Sequence, residues 1–245
     1  MTESQPDAAP DPVRGDRPGL DHAAFEDPDY REAVVDLLGA IAYGELSAFE
    51  RLAEDARLAP DLVDKVEMSR MAAAEFGHLV ALQERLAELG ADPFAAMQPF
   101  RRAIDDFHEH TAPSDWYEGL IKAYVGDGLA ADFYREIAVY LDAGTRQLVD
   151  DSLADAGHSA FVVDRVRAAI AQDARLGGRL ALWGRRLMGE ALTQGQRVAG
   201  ERDAMTALLA GGIDRPGLDL AAIGRMFTRL TERHAARMAE LGLDA

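Results

Sequence analysis

The sequence predicts an all-α fold, a four-helix bundle extended by further helices at its C-terminal end. Two observations carry this. Apolar residues recur at helical spacing through several long stretches, and no stretch shows the alternation of a strand. Beyond residue 28, prolines stand only at 60, 93, 99, 113 and 216, between those stretches, where helices break.

The first predicted helix spans residues 30–58. Its apolar stripe runs Val34, Leu38, Ile41, Ala48 and Leu52, and the rung missing from that ladder holds Glu45. The second spans 61–89, with Met71, Leu82, Leu86 and Leu89 on its stripe and Glu75 and His78 on two rungs between them. Residues 90–114 form a long connection with a short helix at 94–110. The third helix, 114–141, is apolar on most sides through Leu120, Ile121, Tyr124, Val125, Leu129 and Phe133, and should be buried. Ser114 or Asp115 is its N-cap, and Asp127 and Asp132 lie within it.

Residues 141–145, with Asp142 and Gly144, read as a turn. A fourth helix from Thr145 to about 171 carries Leu148, Val162 and Val166, with Asp155 and His158 on the rungs between. The stretch LADAGHSAF at 153–161 is therefore expected to be helical, although Gly157 weakens it by about 1 kcal/mol relative to alanine. A fifth helix begins after Asp173 and runs to about 209, and a last one spans 218–241. The bundle core is thus 30–171, with extra helices at 174–241.

Composition bounds the function. The 245 residues are 48% hydrophobic and 28% charged, as in a globular domain. Residues 1–28 hold five of the ten prolines and seven acids against two arginines, net −5. They read as a disordered acidic tail ahead of a single helical domain at 29–245. Cysteine is absent, which excludes disulfides and thiolate ligands and leaves His, Asp and Glu to hold any metal. No apolar run reaches the roughly 20 residues of a membrane helix, and the acidic N-terminus is unlike a signal peptide. A cytoplasmic protein that does not enter membranes is expected. The net charge of −17 argues against general nucleic-acid binding. Residues 165–202, with eight arginines and three acids, net +5, form the exception: a solvated face or a surface for an anionic partner.

In chain order the ionisable groups on apolar stripes are Glu45, Glu75-x-x-His78, Asp132 and Asp155-x-x-His158. One acid from each of two helices, and an acid with a histidine three residues on from each of the other two, is the ligand set of a dinuclear carboxylate centre in a four-helix bundle. The carboxylates balance and bridge two cations, with Glu75 and Asp155 best placed to bridge. Neutral imidazoles complete each coordination sphere and leave positions open. Glu45 and Glu75 lie about equally far from the turn near 59–60, as do Asp132 and Asp155 from the turn near 143–144. Asp127 would sit roughly 7.5 Å further along a straight helix. That spacing favours Asp132 as ligand and leaves Asp127 as a neighbour of the site or a pocket wall.

At these residues the chain resembles the ferritin-like superfamily, and more narrowly the actinobacterial proteins grouped with the tRNA hydroxylase family called MiaE. The resemblance runs through YGELSAFERLAEDA, MAAAEFGHLVAL, GDGLAADFYR and LADAGHSAF, within about 30–171. It implies two irons (or manganese) held by Glu45, Glu75, His78, Asp132, Asp155 and His158. It also implies oxygen-dependent hydroxylation of a modified adenosine in tRNA. The chain departs from the pattern in having Asp132 and Asp155 where the family uses Glu, one methylene shorter. A one-metal, mixed or empty second half-site follows as an alternative. So does a non-catalytic bundle whose polar groups bond one another. An iron-storage role has nothing in the sequence to support a cage.

Other residues have two readings each. Tyr43, Tyr124 and Tyr134 would line an oxygen pocket or pack in the core. Trp183 with Arg185 and Arg186 would make a stacking patch or an inward-packed helix face. Glu190 begins an incomplete copy of the acid–histidine motif, with Thr193 where His would stand. Arg233 and His234 are expected at the surface. Apolar positions beyond the needs of a four-helix core suggest a homodimer through the last two helices.

Overall fold

The computed structural model of the protein describes residues 25–153, 158–210 and 220–245. Within them there are helices and no strands. Helix α1 spans Pro28–Asp55 and α2 Leu62–Glu88. Two short helices follow, α3 Pro93–Met97 and α4 Arg101–His110. Helix α5, Trp116–Ile121, passes through a π turn at Lys122–Gly126 into α6, Asp127–Ala138. Then come α7 Ala143–Ser152, α8 His158–Gln172, α9 Ala174–Glu201, α10 Asp203–Ala210 and α11 Leu220–Glu240.

Aspartates start many of these helices. Asp27, Asp61, Asp92, Asp115, Asp142 and Asp173 each accept hydrogen bonds from backbone N–H groups of the first turn. Each such cap contributes about 1 kcal/mol and favours the positive end of the helix dipole. At α5 the cap is Asp115, while Ser114 donates both its backbone N–H and its hydroxyl to the Glu118 carboxylate, at 2.8 and 2.7 Å.

Helices α1 and α2 pack along their lengths as an antiparallel pair. Two apolar clusters hold the molecule. One joins the first half of α1, Tyr30 to Ala42, to the second half of α2, α3 and the end of α6. The other joins Leu52 and Ala56 to the first half of α2, α5, α8, α9 and the end of α11. The middle of α1, where Glu45 sits, falls between them. α1 and α3 approach closely at Gly39, where an added Cβ would run into the backbone carbonyl of Ala96.

Three sequence expectations need correction. The fourth helix is not continuous from 145: α7 ends at Ser152 and α8 begins at His158, with residues 154–157 outside the description. The Leu153 N–H closes the last turn of α7 on Val149, and the Leu153 carbonyl accepts from Arg135 at 2.7 Å. The fifth helix stops at Glu201 and a separate α10 follows. His234 is buried rather than at the surface, whereas Arg233 is exposed as expected and pairs with Glu136 at 2.9 Å. The expected tail at 1–28 lies almost entirely outside the described residues.

Gly39→Ala is expected to cost about 1–3 kcal/mol of stability, because the colliding atom is backbone and cannot rotate away. A denaturant melt beside the wild type measures it.

Candidate metal centre

Three of the six expected ligands meet. One oxygen or nitrogen from each of Glu45, Glu75 and His78 lies within 4.8 Å of the others, forming the candidate metal cluster among the described residues. Glu45 comes from the middle of α1. Glu75 and His78, one turn apart on α2, face it across the pair. Glu45 is 7% exposed, and its Oε2 stands 3.4 Å from His78 Nδ1. Glu75 Oε2 is 3.9 Å from the same nitrogen. Neither Glu45 Oε2 nor His78 Nδ1 completes a hydrogen bond, although both atoms are buried. Burial pushes the Glu45 carboxyl far above the usual carboxylate range. The two nearby carboxylates, Glu45 first and then Glu75, favour the protonated imidazole and push His78 above its ordinary value. Without a cation this cluster holds protons, which a dication would displace.

The structure does not bring Asp132 to this cluster. Asp132 is 4% exposed, and its carboxylate is bound by Arg237 of α11 at 2.6 Å, with Arg135 and Arg233 at 3.7 and 3.9 Å. Arg237 reaches it over Gly128, whose missing side chain leaves room for the guanidinium and whose carbonyl accepts a further bond at 3.1 Å. Asp127 faces the cluster instead. It lines the same cavity as Glu45 and Glu75. The surrounding protein, then the Glu75 charge, raises its carboxyl above the usual carboxylate range.

The π turn explains the exchange. Residues five apart on a regular helix point about 140° apart. Across the wider turn, Lys122 and Asp127 line one cavity. Regular α6 then resumes, and Asp132, five residues after Asp127, turns away toward α11. On a straight helix Asp132, not Asp127, would have stood level with the cluster. Asp155 lies outside the described residues. His158 begins α8, but its side chain also lies outside them, so the second acid–histidine pair stays an expectation.

The cluster opens on a cavity of about 570 Å³. Its walls are mainly apolar, with Ile41 and Leu52 from α1, Leu129 and Phe133 from α6, Met188 from α9 and Met226 from α11. The additional C-terminal helices therefore close the site. Tyr134 lines the cavity, and its hydroxyl lies close to Gly44, next to Glu45. Burial, then Glu45 and Asp127, keeps that phenol protonated. The other two tyrosines are engaged elsewhere: Tyr43 donates to Asp105 at 2.7 Å, and Tyr124 donates to Glu240. Glu190 accepts from His110 and Gln194 and belongs to no metal cluster among the described residues.

The arginines of 165–202 are largely engaged within the chain. Arg165 binds Asp64 at 2.7 Å, Arg197 binds Asp106 at 2.6 Å and Arg202 binds Asp36 at 2.9 Å. Arg179 holds both Asp115 and Glu118. Trp183 is buried, donates to the Glu118 carbonyl at 3.0 Å, and has Arg186 over its ring. Its inward packing removes it as an exposed stacking patch. No described helix is long and apolar enough to cross a membrane.

Residues 28–212 match the family described as ferritin-like domain, actinomycetes. No curated protein matches the chain in sequence. Among solved structures, a protein with aldehyde deformylating oxidase activity from Synechococcus is similar in fold. The TM-score is 0.68 at 20% identity, covering 90% of this chain and 94% of that one.

His108, on the cavity wall, is held neutral: burial first, then Lys122 and Arg51, lower it to about 3. Its folded value lies below its unfolded one, so the unfolded chain takes up the proton first. The stability it permits is present above about pH 6.5 and is lost as pH falls toward 3. Relative to His108→Gln, the wild type is expected to lose at most roughly 1 kcal/mol per pH unit across that window. Parallel denaturant melts at pH 7, 6 and 5 measure the difference.

Proposed function

Because this chain belongs to the ferritin-like domain family of actinomycetes, we propose that Glu45, Glu75 and His78 hold a redox-active divalent metal. We propose iron first, with manganese as the alternative, serving oxygen-dependent oxidation of an apolar organic substrate in the adjoining cavity. One observation carries the reading. A carboxylate oxygen and an imidazole nitrogen, both buried and without a hydrogen bond, stand 3.4 Å apart where Glu45 lines an apolar cavity. Buried polar groups are ordinarily satisfied, and a cation satisfies both at once. The donor set also fits, since carboxylate and imidazole suit iron and manganese. An iron ion bound there supplies redox chemistry toward dioxygen.

The chain's own groups supply the rest. Glu45 and Glu75 balance the positive charge, and His78 adds a neutral donor once its proton is displaced. Asp127 offers a third carboxylate from the cavity side, in the place that the sequence alone gave to Asp132. The Tyr134 hydroxyl is a protonated donor beside Glu45. The apolar walls exclude water and orient a hydrocarbon. A second metal would draw on Asp155 and His158. The substrate is read as small and apolar rather than as tRNA. The chain carries −17, the arginines of 165–202 are largely committed to internal pairs, and the cavity walls are mainly hydrocarbon.

Elemental analysis after expression in iron-replete medium tests this. The wild type is expected to carry at least one iron or manganese per chain, and Glu75→Ala/His78→Ala to carry none. Asp132→Asn is expected to keep its metal while losing about 3 kcal/mol of stability, as a broken buried ion pair does. Two metals per chain would bring in the second pair. A folded wild type that stays metal-free after reconstitution overturns the reading.

A further inference from the structure

Six residues along α1 from Glu45, about 9 Å at helical rise, the same cavity changes character. Arg51, Asp55, His108 and Lys122 line this end. Lys122 is 6% exposed and its ammonium has no hydrogen-bond partner. Arg51 Nε and His108 Nδ1 are also buried and unpartnered. Arg51 is tied at its far side, through Nη1 to Glu54 at 2.9 Å and near Glu50 at 4.0 Å. Lys122 rests against the Phe107 ring, 5.9 Å from its centre. It comes from the π turn, the distortion that lets it share a cavity with Asp127.

A buried donor left unsatisfied costs about 1–3 kcal/mol, and here the Lys122 ammonium and Arg51 Nε lack acceptors, with His108 Nδ1 unpartnered beside them. Asp55 does not fill the role. It is buried nearby, yet no hydrogen bond joins it to Lys122. Burial raises Asp55 to about 6 and lowers Lys122 to about 8, so each is poorly stabilised as it stands. Glu54 balances the Arg51 charge from outside the cavity, and inside it the Lys122 ammonium stands near Asp55 without a hydrogen bond between them. A single carboxylate would give Lys122 and Arg51 Nε the acceptors they lack with the least added negative charge beside Asp55, where a phosphate dianion would bring more. The rest of the cavity is hydrocarbon.

We propose that this end of the cavity binds the carboxylate of an apolar monocarboxylic acid, on Lys122 and Arg51, with its hydrocarbon body extending toward Glu45 and Glu75. The site does not depend on the metal. It places the anionic group at the opposite end from the Glu45–Glu75–His78 cluster, so the end of the ligand near that cluster is the hydrocarbon one.

The test uses full-length protein stripped of metal with chelator and dialysed, so that the metal reading can fail without affecting the result. Isothermal titration compares dodecanoate, dodecanol and dodecyltrimethylammonium below their micelle concentrations. Dodecanoate is expected to bind about tenfold or more tightly than dodecanol, the worth of a charge-assisted hydrogen bond. Lys122→Met, which removes a buried charge and is expected to fold, should abolish that preference and leave dodecanol binding unchanged. Equal binding of all three probes, preference for the cation, no binding at all, or a carboxylate preference that survives in Lys122→Met would each overturn the proposal. The head-group comparison on the wild type stands even if the variant fails to fold.

Discussion

A carboxylate buried in a helical bundle must find a positive partner, and the rest of this structure is arranged around how each one does so. Asp36 has Arg202, Asp64 has Arg165, Glu118 has Arg179 and Asp132 has Arg237. Each acid lies in the first six helices and each arginine in α8 or beyond. These pairs fasten the C-terminal helices over the bundle. They do not by themselves explain its stability, because desolvating both charges offsets much of the attraction. Their consequence is positional: removing either member strands the other, so the helices cannot shift independently. Glu45, like Asp55, is an exception. Among the described residues no arginine reaches it, and its neighbours are another carboxylate and a histidine. A buried acid beside a second acid and an imidazole is an arrangement that a metal stabilises and that packing alone does not.

That contrast explains what was legible in the sequence. Glu45, Glu75 and His78 interrupt apolar stripes of two long regular helices, and periodicity alone exposed them. The bounds of α1 and α2 followed from the same stripes and from the proline and aspartate between them. Asp132 interrupts an apolar helix equally well, yet it serves an ion pair. The partner that decides this, Arg237, lies more than a hundred residues away, and nothing local marks it. Gly128 was a weak local sign, since a small residue one turn before Asp132 is what lets the guanidinium through. The π turn was invisible because a period of 3.6 was the premise of the reading. One widened turn moves Asp127 onto the cavity side and Asp132 off it.

The charge distribution has a related reading. An excess of acid over the whole chain and a basic stretch at 165–202 suggested either a solvated face or an external anionic partner. The arginines instead face the chain's own acids. Aspartates at helix N-termini absorb another share of the negative charge, where backbone N–H groups stabilise it. Composition counts these groups but cannot say which are already matched. Glu45 Oε2 and the Lys122 ammonium, both on the cavity wall, complete no such pair.

The two ends of that cavity are then complementary. At Glu45 there is an excess of carboxylate and at Lys122 an excess of nitrogen donors, yet the two groups do not neutralise one another across the hydrocarbon between them. α1 holds them apart through its rise from Glu45 to Arg51 and Asp55, and the π turn holds Lys122 and Asp127 to matching ends on the opposite wall. A bundle under selection for stability alone would pair such groups or replace them with leucine, since packed hydrocarbon of equal volume is no less stable than a buried ion. Keeping both ends unsatisfied, with an apolar space between them, is a cost in folding free energy that ligands at those two positions would offset. The distortion in the helix between α5 and α6 belongs to the same account, because π turns of this kind gather where a helix must present residues that regular geometry would send apart.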